Sequence, residues 1–129
     1  MTYSSATHAH SVNPATGETL AAYPWATSGD VERAIAQADT GFRQWRHESV
    51  AHRAQKLRDL GAALRSRAEE MAQTISREMG KPIGQARAEV AKSASLCDWY
   101  AEYGPAMLRP ESTQVDNAVI EYRPLGPIL

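Results

Sequence analysis

The sequence predicts a mostly α-helical chain with an N-terminal β-hairpin and a C-terminal β-strand. Three stretches have apolar residues at every third or fourth position, two of them are separated by Gly-Lys-Pro, and an Asn-Pro…Gly turn signal lies near the N-terminus. Spacing of three and four places apolar side chains on one face of a helix. The 129 residues suffice for one domain or one part of a larger protein.

Composition argues against several classes of partner and location. Lys and Arg number 14 against 15 Asp and Glu, so a net charge of -1 gives no reason to expect nucleic acid or an anionic membrane as partner. No run approaches the roughly 18 apolar residues of a membrane span, and the N-terminus lacks a secretory signal pattern. The single cysteine, Cys97, excludes an internal disulfide. We therefore expect a cytoplasmic protein.

The N-terminal region predicts a tail followed by a hairpin. Residues 1–10 are polar and carry His8 and His10, and we expect a solvated tail because two histidines alone make a poor metal site. Asn13-Pro14 opens a turn that Gly17 can close by adopting a positive φ. We expect a hairpin from Val12 through this turn into Leu20–Tyr23.

The first helix is expected to begin at Thr27 or Ser28, either of which can cap it, with Asp30 favourable in its first turn. An apolar stripe then continues for about four to five turns. Core packing is the expected role of its two aromatic residues. The stripe consists of Val31, Ile35, Ala38, Phe42 and Trp45.

A second apolar pattern extends from Val50 to Met79, which is long for one helix, so a bend or break is expected between Arg65 and Ala68. Its basic residues are interleaved with acids and have no aromatic neighbours. This indicates a solvated polar face rather than a phosphate-binding surface. The basic residues are Arg53, Lys56, Arg58, Arg65 and Arg67.

A tight corner is predicted at Gly80-Lys81-Pro82. Gly adopts the left-handed conformation after a helix at little cost, and Pro fits the first turn of the next helix. A phosphate-binding loop is excluded, since Ile75 stands where that loop has its first glycine and Pro82 where it has Ser or Thr. Glu78 and Lys81 should therefore lie at the apex of a helix–helix corner.

The third stripe includes Cys97, which lies far from a helix N-terminus and is predicted to be a packed thiol rather than a nucleophile. Trp99, Tyr100 and Tyr103 cluster toward the end of the same helix, where packing is the ordinary role of aromatic residues. The stripe consists of Ile83, Ala86, Val90, Ala94, Cys97 and Ala101.

The C-terminal part is predicted to leave the helix at Gly104-Pro105. Gln114–Arg123 holds several β-forming residues and is expected to form a strand. The apolar run after it reaches Leu129 without a polar cap, so we expect a truncated chain.

In their order and spacing, these motifs resemble the N-terminal segment of NAD(P)-dependent aldehyde dehydrogenases, most closely the succinate-semialdehyde dehydrogenase group. The similarity is colinear from about Ser11 to Leu129. It rests on Asn13–Glu18, Asp30-Val31, Ala34, Ala38, Phe42, Trp45, Arg53, Leu57, Leu60, Leu64, Glu69-Glu70, Glu78–Pro82, Ala86, Glu89-Val90 and Trp99–Glu102.

The resemblance implies an α/β protein with the aldehyde dehydrogenase fold. Residues 1–112 would be the N-terminal helical part of the cofactor-binding domain, and residues 113–129 the start of the β arm that bridges subunits. The whole enzyme would oxidise an aldehyde, succinate semialdehyde by resemblance, to the carboxylate with NAD or NADP. The expected partners are the rest of its own chain and further copies of the enzyme, bound through the C-terminal strand.

The resemblance also implies that this chain holds no catalytic or cofactor-binding residue. The family's catalytic Cys, its Glu and Asn, and its cofactor turn all lie beyond Leu129, and Cys97 does not match the catalytic motif. The 129-residue piece alone should therefore be inactive. The residues themselves leave another function open, a non-catalytic helical module that binds a partner through its apolar stripes and terminal strand.

Two candidate sites follow from the resemblance. Trp99 and Tyr100 match positions near the family's substrate entrance, with aromatic packing as the alternative. Val12 and Glu78 match the backbone carbonyl and the acid that hold a monovalent cation in some members, and oxygen ligands suit such a cation. The alternative for Glu78 is a purely structural role, hydrogen bonding within the corner.

Overall fold

The computed structural model describes residues 7–128 of the chain. In chain order it contains a β-hairpin, four helices and a second, smaller β-hairpin. The predicted solvated tail falls largely on residues 1–6, outside the described residues, as does Leu129. Among the described helices, none is long and apolar enough to cross a membrane.

The predicted N-terminal hairpin is confirmed and begins earlier than expected. Strand β1 (His8–Val12) pairs antiparallel with β2 (Thr19–Pro24). The amide of Gly17 donates to the carbonyl of Asn13 at 2.8 Å, and Gly17 has a φ of 76°, as the turn signal predicted. His8 and His10 were expected in a tail but lie in β1, because their backbone finds strand partners in β2.

Helix α1 (Ser28–Trp45) begins with a reciprocal cap. The hydroxyl of Thr27 accepts from the amide of Asp30, while the Asp30 carboxylate accepts from the amide and the hydroxyl of Thr27. These hydrogen bonds, together with a smaller contribution from Arg33, hold the pKa of Asp30 below its ordinary value. The helix start that the sequence predicted is therefore confirmed.

Within residues 7–128, the core packing expected for the two aromatic residues of α1, Phe42 and Trp45, is not found. Val31, Ile35 and Trp45 are 48%, 51% and 44% exposed, Phe42 is only half-buried, and α1 has no buried residue. The periodicity correctly identified one apolar face. No element within residues 7–128 covers that face.

The second pattern divides into α2 (Val50–Ser66) and α3 (Ala68–Met79), with the predicted break at Arg67. Helix α4 (Ile83–Met107) packs along α2 and against α3. The buried residues at these contacts are small, so the helices approach closely. They are Ala54, Gly61, Ala72, Ala86, Val90, Ala94 and Ala101.

Ion pairs fasten α4 to the other two helices. Arg65 of α2 pairs with Asp98, and Arg87 of α4 donates two hydrogen bonds of 2.9 and 2.8 Å to Glu69 of α3. The Arg87 guanidinium lowers the pKa of Glu69 to about 2. The solvated polar face predicted for the basic residues of α2 is thus only partly right, because Arg65 bridges two helices.

Helix α4 does not stop at Gly104-Pro105 as predicted but continues to Met107. Pro105 has no N–H to bond the carbonyl of Ala101, one turn earlier. Arg58 of α2 donates to that carbonyl instead, with Nη2 3.4 Å from the oxygen. A partner on a neighbouring helix therefore compensates for the proline.

The C-terminal strand is much shorter than predicted. Gln114–Arg123 was expected to be extended throughout, but Gln114–Asn117 form a turn in which Asn117 has a φ of 62°. Only Val119–Ile120 (β4) pair, antiparallel to Glu111–Ser112 (β3). The strand-forming residues alone did not reveal this local hairpin.

Candidate functional site

The corner between α3 and α4 has the geometry that its sequence predicted. Gly80 is left-handed, with a φ of 68°, and its amide donates to the carbonyl of Ser76 at 3.0 Å. The hydroxyl of Ser76 donates to the carbonyl of Lys81 at 2.6 Å. Pro82 lies at the cap of α4 rather than inside its first turn. Short local hydrogen bonds therefore reverse the chain here.

Lys81 at the apex does not offer a free positive charge. Its ammonium group pairs with the carboxylate of Glu89, two turns into α4. This pairing agrees with the exclusion of a phosphate-binding loop, in which the lysine must reach a phosphate.

The turn of the N-terminal hairpin lies against this corner. A Cβ placed on Gly80 would be 2.9 Å from Cγ of Pro14, closer than real Cβ atoms approach another heavy atom. The missing side chain at Gly80 thus permits both the left-handed turn and the contact with the hairpin. The turn of the hairpin therefore contacts the corner at Pro14.

Glu78 lies beside the same hairpin. It lines a cavity of about 180 Å³ together with Leu20, Ala21, Thr74 and Arg77. In residues 7–128, the hydrogen bonds of the corner come from Ser76, the backbone and the Lys81–Glu89 pair, and none involves the Glu78 carboxylate.

The strand that carries Val12 pairs with the strand that lines the Glu78 cavity. Val12 lies opposite Thr19, the residue before Leu20. The strand of Val12 is therefore next to the strand that borders the cavity, and Val12 itself does not line it. Within the described part of the chain, no three His, Cys, Asp or Glu side chains form a metal-binding group.

The aromatic residues near the end of α4 form a cluster that is only partly covered. The ring centroid of Trp99 lies 5.0 Å from that of Tyr100, with the rings edge to face, and 5.2 Å from the ring centroid of Tyr103. Trp99 and Tyr100 remain 43% and 49% exposed. Their role is therefore not complete burial in the core of this chain.

Tyr100 also lines an apolar groove between the start of α2 and the end of α4. The groove has a volume of about 240 Å³. Its wall was not foreseen, because it needs α4 to continue past Pro105. The lining residues are Val50, Arg53, Ala54, Leu57, Tyr100, Gly104, Pro105 and Leu108.

Arg53 is the residue that sequence reasoning misjudged most. It was assigned to a solvated face but is half-buried, and its Nε atom is buried without a hydrogen-bond partner in residues 7–128. It lines the apolar groove and also a second cavity of about 380 Å³ that Tyr122, Arg123 and Pro124 help to form. A charge pattern along α2 could not show these surroundings.

Cys97 is a free, half-buried thiol on α4. The neighbouring Asp98 is occupied by Arg65. The prediction of a packed thiol is therefore met only in part, because the side chain is half-buried.

Comparison with known proteins assigns the chain to a family. A model described as "Aldehyde dehydrogenase family" matches residues 2–129. The chain belongs to the aldehyde dehydrogenase family. The resemblance inferred from the order of the motifs is thereby confirmed.

Among aldehyde dehydrogenases, the chain is 66% identical over 131 residues to "Succinate semialdehyde dehydrogenase [NAD(P)+] Sad" of Escherichia coli (strain K12). The match covers 100% of this chain and 28% of that relative. A succinate-semialdehyde dehydrogenase [NADP(+)] of Deinococcus radiodurans is 37% identical over 120 residues, which cover 92% of this chain and 25% of the relative. The chain thus spans about a quarter of the length of these relatives.

The fold agrees with solved aldehyde dehydrogenases. The crystal structure of lactaldehyde dehydrogenase from Escherichia coli superposes with a TM-score of 0.78 at 30% identity. The match covers 92% of this chain and 24% of that one. The described helices and hairpins are therefore those of an aldehyde dehydrogenase, and the predicted fold is confirmed.

Proposed function

We propose that this chain is the N-terminal quarter of an NAD(P)-dependent dehydrogenase that oxidises succinate semialdehyde to succinate. The observation that carries the proposal is 66% identity, over the whole chain, to the succinate semialdehyde dehydrogenase of E. coli. The nicotinamide cofactor would accept the hydride that the aldehyde loses. The enzyme would act in the cytoplasm.

Residues 1–129 would contribute to the reaction by positioning the rest of the enzyme, and not by taking part in the chemical steps. In the family pattern the catalytic cysteine, glutamate and asparagine and the cofactor turn lie beyond Leu129, so no described residue attacks the aldehyde or transfers a proton. Helix α4, fastened to α2 and α3 by buried small residues and ion pairs, is a rigid element on which a site can be built. The exposed apolar face of α1 would be covered by the remaining polypeptide.

Residues 1–112 would belong to the cofactor-binding domain and residues 113–129 would begin the arm that joins subunits. The exposed edges of the β3–β4 hairpin support this assignment, because a two-stranded hairpin can accept a further strand on either side. The resulting assembly would be a homo-oligomer.

A chimera tests the proposed function. In it, residues 1–129 replace the matching region of the E. coli relative, which serves as the control. We expect NAD(P)H formation with succinate semialdehyde and none from the 129-residue piece alone. A folded, oligomeric chimera that does not oxidise this aldehyde would contradict the proposal, and NAD(P)H formation by the isolated piece would contradict its supporting role.

Trp99 and Tyr100 are proposed to border the substrate entrance. Their half-exposed rings support this role, since an entrance needs apolar surface that the core does not occupy. In the chimera, Trp99→Ala should raise KM for the aldehyde and leave kcat unchanged. Tyr103→Ala removes a ring from the same cluster as a control, and an equal change of KM in both variants would indicate packing alone.

Val12 and Glu78 are proposed to hold a monovalent cation through the Val12 carbonyl and the Glu78 carboxylate. Both are hard oxygen donors and fit such an ion. The chimera should unfold at a higher temperature in potassium than in choline chloride, and Glu78→Gln should abolish that difference. Glu32→Gln on α1 is the control, and a difference that survives Glu78→Gln would remove the site.

A further inference from the structure

Arg53 has a buried donor that the described chain does not satisfy. Its Nε is buried without a hydrogen-bond partner, and the eight ion pairs found in residues 7–128 join other residues. Leaving a buried donor unpaired destabilises a folded protein, and more so when the group is charged. A folded protein that retains this arrangement is expected to supply an acceptor.

The surroundings of Arg53 favour an anionic acceptor. Within residues 7–128, no acidic side chain lines the apolar groove or the second cavity. Arg123 adds a second guanidinium to the second cavity, although it already donates to Glu121 at 3.0 and 2.5 Å. A guanidinium binds a planar carboxylate through two parallel N–H donors, and Nε is one of the donors available for this.

The apolar groove next to Arg53 favours a ligand that carries an apolar group beside its carboxylate. Ala54, Leu57, Tyr100 and Pro105 contribute to its wall. An occupant that fills the groove and also reaches Arg53 combines an apolar side chain with a carboxylate. A polypeptide segment carries both groups at a short spacing.

We propose that Arg53 binds the carboxylate of an Asp or Glu in the remaining three quarters of the dehydrogenase, while an apolar residue of the same segment enters the groove. The proposal rests on the proposed function, since the chain spans about a quarter of its relatives. The positive charge of Arg53 favours an acidic residue in the segment that occupies the groove. Arg53 is therefore an anchoring residue between this quarter and the rest, and not a catalytic residue.

The crystal structure of the chimera is the direct test. We expect Nε of Arg53 within hydrogen-bond distance of an Asp or Glu carboxylate from the same polypeptide beyond residue 129. An Nε bonded only to water or to a backbone carbonyl, or to a carboxylate of another copy, would overturn the proposal. The result does not depend on activity, so an inactive but folded chimera refutes the proposed function and leaves this test intact.

Variants of the chimera add a thermodynamic readout. Arg53→Met should lower the unfolding temperature because it leaves the partner carboxylate unpaired, and Arg53→Lys should restore part of the loss. Arg109→Met is the matched control, since Arg109 is exposed and follows Leu108 at the rim of the groove. Equal losses for Arg53→Met and Arg109→Met would contradict the anchoring role.

The 129-residue chain provides a test that does not need the chimera. Propionate presents a carboxylate on a short apolar tail, and propionamide is its neutral counterpart. The NMR signal of the Arg53 Nε–H group should shift with propionate and not with propionamide, and Arg53→Lys assigns that signal. Equal shifts with both compounds would overturn the proposal, and propionate binding without a bound carboxylate in the chimera crystal would reject the docked segment.

Discussion

Replacing Gly80 by alanine tests whether the hairpin packs on the helix–helix corner. Two separate effects act at this position. Gly80 has a φ of 68°, and a left-handed backbone costs an L-residue about 1–2 kcal/mol. In addition, the new Cβ would lie 2.9 Å from Cγ of Pro14. This atom belongs to a ring and cannot rotate away.

The contact with Pro14 should add the larger part of the loss. Forcing extra volume into a packed site typically costs about 1–3 kcal/mol, because neighbouring backbone must shift. We therefore expect Gly80→Ala to lower the free energy of unfolding by about 2–5 kcal/mol, combining the backbone and packing costs. Removing the Pro14 ring should restore the part of the free energy of unfolding that is lost through packing, and leave the backbone part lost.

Two other glycines provide matched controls. Gly17 has a φ of 76°, but no atom lies within 4 Å of the position that a Cβ would take there, so Gly17→Ala should cost only the backbone part, about 1–2 kcal/mol. Gly84 lies in α4 with open space around it, so Gly84→Ala should stabilise the chain by about 0.5–1 kcal/mol.

Urea unfolding of the 129-residue chain, followed by circular dichroism at 222 nm, measures the three differences. The double variant Pro14→Ala with Gly80→Ala should lose no more than Gly17→Ala does, relative to Pro14→Ala alone. Equal losses for Gly80→Ala and Gly17→Ala would show that the hairpin does not touch the corner. No loss at Gly80 would refute the left-handed turn as well.

Three further predictions concern the packing of the helices. Glu69→Gln should lower the urea midpoint at pH 7 and much less near pH 2. Its pair with Arg87 lowers the pKa of Glu69 to about 2, so the stability from the pair is present above the ordinary carboxyl pKa and is lost as the pH falls through about 2. An equal effect at both pH values would contradict the prediction. Gly61→Leu should lower the free energy of unfolding by about 1–3 kcal/mol, because even a Cβ on Gly61 would lie 3.2 Å from the carbonyl oxygen of Ala94. An unchanged urea midpoint would refute the close approach of α2 and α4. Among the helices of the 129-residue chain, amide hydrogen exchange should be fastest in α1, which has no buried residue, and slowest where α2 and α4 meet. Protection of α1 equal to that of α2 and α4 would show that something covers its apolar face.

Local chemistry explains the predictions that succeeded. The cap at Thr27, the break at Arg67 and the left-handed Gly80 each depend on residues within a few positions of one another. Such effects act over a single turn of the chain and can be read without knowing the fold. The motif order that identified the family is equally a property of the sequence.

The wrong predictions share a different cause. Pro105 continues a helix because the carbonyl of Ala101, which the proline leaves free, accepts from Arg58, 43 positions earlier in the chain. The core packing predicted for Trp45 was wrong because periodicity identifies an apolar face but not the element that covers it, and Trp45 is exposed. Arg53 was assigned to solvent because a charge pattern does not show which donors become buried.

The sequence alone determined the helices, the cap at the start of α1, the break at Arg67, the Gly80 corner and membership of the aldehyde dehydrogenase family, since all of these depend on local residue chemistry and order. Tertiary structure decided which surfaces meet. It placed Pro14 against Gly80, joined α4 to α2 through small residues and buried the Arg53 donor between two cavities. Those outcomes depend on contacts between residues far apart in the chain, which local pattern does not encode.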